Sequence, residues 1–190
     1  MLLRPSGALS CPARAQTPAT IAPQGAAPVR EGVRLAVDAG SVRIGVARSD
    51  PGGILASPLT VLRSGPRGPG KRAELDELAT LAAGADAIEV IVGLPTSLSG
   101  REGTAAAAAR GFAAELAGRL APIPVRLVDE RFTTTQAHDA LRRGGKDSRA
   151  RRSTVDAAAA AVLLQTALDT ERATGRPPGE LVTLRGGVGE

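Results

Sequence analysis

The stretch that most constrains this chain is Val33 to Asp50, VRLAVDAGSVRIGVARSD. Val33, Leu35 and Val37 alternate, and Val42, Ile44 and Val46 alternate after them. A period of two marks strands with one buried face. Asp38-Ala39-Gly40-Ser41 between them is small and polar, as a hairpin turn requires. Gly45 suits a place where another backbone comes close. Asp38 is the only acid between Glu31 and Asp50, and it ends an apolar strand. A carboxylate there is costly to bury unless it is paired or holds a metal. A turn-favouring Asp is the plainer explanation of that residue alone.

The rest of the chain reads as alternating elements. Ser57 to Leu62 is a third strand. Lys71 to Ala83 has a helical apolar period, and Gly84 stops it. Ala87 to Val92 has the near-continuous apolar character of a strand buried on both faces. A helix over Thr104 to Leu120 ends at Pro122 and Pro124, and Val125 to Val128 forms another strand. A helix is expected over Thr134 to Arg142 and a last one from Thr154 to about Leu168. Early hairpins are antiparallel, whereas strand–helix–strand crossovers require parallel pairing. The expected fold is α/β, a mixed sheet with antiparallel first strands, parallel later strands and helices on both faces.

The ends lack this patterning. Residues 1–30 contain five prolines among small residues and are expected to be a disordered tail. Residues 171–190 are expected to be a flexible second tail, leaving 31–170 as one folded domain. Arg4 and Pro5 follow Met1-Leu2-Leu3 at once, so no secretory signal is expected. The longest apolar run, Ala157 to Leu164, is too short to span a membrane. A soluble, cytoplasmic protein is expected.

Composition narrows the chemistry. Cys11 is the only cysteine and His138 the only histidine. Neither a disulfide framework nor a Cys/His zinc site can be built within one chain. Nucleophile–histidine catalysis would have to run through His138, which has no nucleophile signature near it. Carboxylates with a hard metal ion remain as hydrolytic tools. The net charge is +5. Arg142 to Arg152, RRGGKDSRARR, holds six basic residues and one acid, so that segment accounts for the whole excess. It reads as a loop that meets phosphates, through Arg142, Arg143, Lys146, Arg149, Arg151 and Arg152, or as a solvated charge run. Phe112 and Phe132 are the only aromatics, which argues against base stacking as the main binding mode.

Functional groups in α/β sheets gather at strand ends. Asp38 ends the first strand, and Asp129 and Glu130 end the last. Asp156 sits near the start of an almost wholly apolar helix. It either caps that helix or contributes an acid to a site. Acids from three such segments suit Mg2+ or Mn2+. Two glycine patterns carry less, and the second, Gly68 to Ala73, only mimics a dinucleotide fingerprint that Pro69 spoils. Gly65 to Lys71 imitates a phosphate-binding P-loop, but Arg72 stands where a Ser or Thr belongs. Pro66 and Pro69 also remove backbone donors there.

Four segments taken together, VDAGSVRIGVA, IVGLPTSLSG, VDERFTT and VDAAAAAVLLQ after the basic loop, resemble the YqgF family. These are RNase H-like proteins, described both as Holliday junction resolvases and as pre-16S rRNA nucleases. The resemblance covers about Val33 to Leu168. It implies an RNase H-like fold and two-metal phosphodiester hydrolysis, with metal-binding and catalytic acids at Asp38, Glu130 and Asp156. Asp129 would be a support or a substitute ligand. The implied substrate is pre-16S rRNA, cut near its 5′ end during ribosome maturation. Branched DNA is the alternative, and a non-catalytic RNA-binding assembly factor is a third reading. An actin-like ATPase also carries the Asp38-Ala39-Gly40 pattern, but the chain is short for its two domains.

Overall fold

The computed structural model describes residues 29–65, 72–95, 103–130 and 149–184, with the backbone alone for 149–154. Six strands form one sheet in the order β3-β2-β1-β4-β5-β6. β1 (Arg34–Ala39) and β2 (Arg43–Ser49) form the expected hairpin, and β3 (Ala56–Arg63) continues it antiparallel at the sheet edge. Pro58 is tolerated in β3 because an edge strand need not donate on both sides. α1 (Ala73–Gly84) leads to β4 (Glu89–Leu94), which pairs parallel with β1. α2 (Thr104–Leu120) crosses over to β5 (Val125–Asp129), parallel to β4. α3 spans Arg149–Thr174, and β6 (Glu180–Leu181) pairs antiparallel with β5. The expected mixed α/β sheet with helices on both faces is the fold observed.

Side-chain alternation sorts the sheet into two cores. Leu35, Val37, Ile44, Val46, Val90 and Val92 point to the face covered by α1 and α2. Ala106, Ala109, Phe112, Ala113 and Leu116 of α2 supply the helical stripe that meets them. Ala36, Ala47, Ile91 and Val128 point the other way, onto Ala160, Leu163, Leu164, Ala167 and Leu168 of α3. Small residues on the sheet there let α3 lie close. No helix among the described residues is long and apolar enough to cross a membrane.

Three boundaries differ from the sequence expectation. Arg30 is bonded into the fold through Glu171 and Glu89, so the folded region starts before residue 31. α3 begins at Arg149 rather than Thr154, and it continues past Leu168 to Thr174. Arg149, Arg151 and Arg152 are therefore on helix, not on a loop. Cations are disfavoured at a helix N-terminus, so the sequence alone does not point to a helix start within this basic run. At the other end, Glu171 is buried by ion pairs instead of facing water. Gly175, with a φ of 66°, then ends the helix, its N–H donating to the Glu171 carbonyl at 2.7 Å. Residues 171–184 are thus partly helix and partly strand. The helix expected over Thr134 to Arg142 lies outside the described residues.

Candidate active site

Asp38 belongs to the strand face that carries Arg34 and Ala36, the face under α3. On β4 the same face carries Glu89, Ile91 and Gly93, and on β5 it carries Val128, two residues before Glu130. β1, β4 and β5 are parallel, so their C-terminal ends share one edge of the sheet. Asp38 and Glu130 come together at that edge and line one cavity of about 330 Å3. Gly40, Ser41, Ser64, Arg72 and Pro95 complete its polar rim, and Ala105, Ala108, Ala109 and Phe112 of α2 form an apolar wall.

Gly93 lies beside this pair. A Cβ there would stand 2.5 Å from Glu130 Oε1 and 3.3 Å from Leu163 Cδ2. The missing side chain is the space that the Glu130 carboxylate occupies. Burial pushes the Glu130 carboxyl up to about 7, and the charges of Asp38 and Asp129 push it the same way. A carboxyl so crowded by like charge favours either a proton or a cation.

Asp156 approaches from the third element. Gly45 is the cross-strand partner of Asp38, and a Cβ on Gly45 would stand 2.0 Å from the Asp156 carbonyl oxygen. The bare backbone of β2 thus lets the start of α3 rest directly on the sheet, one strand from Asp38. The Asp156 side chain is taken by an ion pair with Arg43 of β2. Among the described residues no three acids gather as a metal-ligand cluster. The structure therefore brings Asp38 and Glu130 into one cavity and holds Asp156 on the same sheet face, paired with Arg43. Asp129 ends β5 opposite Leu94 and acts on Glu130 through its charge.

The two glycines predict different failures. Gly45→Ala collides with backbone and should lower the melting temperature sharply, because α3 must move. Gly93→Ala meets the end of a flexible side chain and should displace the Glu130 carboxylate with a smaller stability loss. Melting curves and cleavage rates for both variants check this. Equal loss of stability in the two would contradict it.

Arg142, Arg143 and Lys146 lie outside the described residues, as does His138. Arg149, Arg151 and Arg152 are on the first turns of α3, the helix that carries Asp156. Two residues escaped the sequence reading. Arg43 was visible as the one cation in the inward series Arg43, Gly45, Ala47. Arg72 stood only as the residue that spoils a P-loop, yet it lines the cavity.

The chain matches the RuvX family, described as Holliday junction resolvase, over residues 32–170. A protein of Thermobifida fusca named "Putative pre-16S rRNA nuclease" is 62% identical over 161 residues, 81% of this chain and 98% of its own length. One of the same name from a Nocardioides species is 56% identical over 158 residues, again 81% and 98% of the two chains. Among solved structures, T. thermophilus RuvC in complex with a Holliday junction substrate superposes with a TM-score of 0.54. That match covers 77% of this chain and 99% of RuvC, and at 15% identity it speaks for the fold. With the family matched across the folded region and relatives more than half identical, the chain belongs to the RuvX family, the group also called YqgF.

Proposed function

We propose that this protein is a metal-dependent nuclease that hydrolyses phosphodiester bonds at the edge where Asp38 and Glu130 meet. The observation that carries this is the pairing of two carboxylates in one cavity, with Glu130 raised to about 7 by burial and like charge. Such an arrangement is unfavourable in isolation and suits a bound cation. The donors are all carboxylate oxygens, which fit Mg2+ or Mn2+. Asp38 and Glu130 would hold the ion, with Asp156 joining when it leaves Arg43. When bound, such an ion lowers the pKa of water and stabilises the leaving oxygen. The protein's own residues do the positioning. β1 and β5 fix the two acids from parallel strand ends. Gly93 keeps the space for Glu130, and Gly45 lets α3 bring Asp156 within one strand.

Pre-16S rRNA is the substrate we favour, cut near its 5′ end in ribosome maturation, because the relatives above carry that name. The basic run Arg142 to Arg152 would meet the phosphate backbone beside the acids, since its last residues lie on α3 just before Asp156. The family description favours branched DNA as a second reading. Cleavage of a pre-16S 5′ fragment and of a four-way DNA junction, each with Mn2+, separates the two. Failure on both substrates at every Mn2+ concentration would leave the assembly-factor reading.

A further inference from the structure

Arg72 precedes α1 and lines the cavity that Asp38 and Glu130 share. Its side chain is only 11% exposed. Its guanidinium lies over the Phe112 ring, 5.7 Å from the centroid. Nε lies 3.2 Å from a Glu115 carboxylate oxygen, yet it is buried without a hydrogen-bond partner among the described residues. The pairing is by charge alone, and Glu115 is 49% exposed, so water screens it. Burying an arginine donor without an acceptor is unfavourable unless something else completes it. On α2, Ala105, Ala108 and Ala109 leave the cavity open where larger side chains would fill it.

The cavity is thus lined by two acids and one nearly buried cation, with an apolar wall from α2. We infer that the Arg72 end is a phosphate subsite, where the guanidinium holds a backbone phosphate of the strand whose neighbouring phosphodiester meets the acids. This rests on the nuclease reading above. A guanidinium fork matches phosphate oxygens, and its planar geometry means less ordering is lost per hydrogen bond formed. The competing role is structural: Arg72 joins α1 to α2 through Phe112 and Glu115 and touches no ligand.

The test uses the full chain in EDTA, so that nothing is cut, with labelled single-stranded and duplex RNA over a range of salt. Arg72→Met should weaken binding and lower the log–log salt slope by about 0.7 for single strands or 0.9 for duplex. Arg72→Lys should keep the slope. Glu115→Gln should bind at least as tightly as the unaltered protein. An unchanged slope in Arg72→Met, with a melting temperature lowered as in Glu115→Gln, overturns the subsite and leaves the structural role. If Arg72→Met does not fold, the other two variants decide. A clear loss of binding in Glu115→Gln, matched by an equal loss in Arg72→Lys, would show that both act only through the helix contact and would overturn the subsite. No binding by the unaltered protein at any salt, either in EDTA or with Ca2+ in its place, would instead remove the nuclease reading, a different outcome from failure of the subsite alone.

Discussion

Asp38→Asn and Glu130→Gln are each expected to reduce cleavage on the order of a thousandfold or more, without lowering the stability of the metal-free fold. In the fold, Glu130 holds its proton up to about pH 7, against an ordinary value of 4.5. Between these values the native state binds more protons than the unfolded chain. Stability must therefore decline as pH rises from about 4.5 through about 7, and level off above. Glu130→Gln has no proton to lose and should not show that decline. Its melting temperature should match the unaltered protein at pH 5 and exceed it at pH 8. Asp38→Asn removes one of the charges that push Glu130 up, so the decline should move to lower pH. With Mn2+ the order should reverse, because only the unaltered site gains binding energy. The measurements are melts at pH 5 and 8, with EDTA and with Mn2+, beside cleavage rates. Parallel pH dependence in the unaltered protein and Glu130→Gln would show that Glu130 is not the strained group. Retained cleavage in both variants would end the catalytic assignment.

The legibility of this fold in its sequence follows burial by apolar residues. The β1–β2 hairpin was readable because Val37 and Ile44 alternate with residues on the opposite face. α2 was readable because Ala109, Phe112, Ala113 and Leu116 keep a helical period. What escaped was structure held by polar groups. Glu171 lies within α3 and is buried against Arg30 and Arg34, while a pattern-based reading places glutamate and arginine outside. β6 is two residues long, and so short a strand has no period to detect. Its position comes from pairing with Arg126 and Leu127 of β5.

The candidate site was legible in a similar, partial way. Asp38 ends an apolar strand and Glu130 follows β5 just after Asp129, and parallel pairing makes strand ends converge. Asp156 was placed by its motif, and the structure sets it on the same face. Its ion pair with Arg43 needed the register of Asp38 on Gly45, which no single-strand pattern contains. Arg72 was read only against a motif it breaks. Its place in the cavity depends on how α1 and α2 close over the sheet.

The largest stability loss is expected from Glu89→Ala, at the opposite end of the same sheet face. Glu89 is the acid between three arginines, at 2.8 Å from Arg30, 2.7 Å from Arg126 and 3.7 Å from Arg34. Glu171 pairs with Arg30 at 2.8 Å and Arg34 at 3.2 Å. The side chains of Glu89 and Arg34 are fully buried. Removing Glu89 leaves three cations against one acid in a low-dielectric region. Breaking such a pair costs about 3–5 kcal/mol. At about 2–4 °C per kcal/mol for a chain of this size, the melting temperature should fall by about 10 °C or more. Glu89→Gln keeps acceptors and shape and should fall between. Burial raises the Glu171 carboxyl, but hydrogen bonds from Arg30 and the charges of Arg34 and Arg30 outweigh it and hold it low. Its contribution is therefore complete above the ordinary carboxylate range and is lost as acid titrates the folded form. A chain begun at Glu31 lacks Arg30 and should melt a few degrees below one begun at Val29. The network and the acid pair sit at opposite ends of α3. Glu89→Ala should thus keep its Mn2+-induced rise in melting temperature while starting from a lower value. If that rise disappears with the ion pairs, the two ends of α3 are coupled, and the site depends on the network for its geometry.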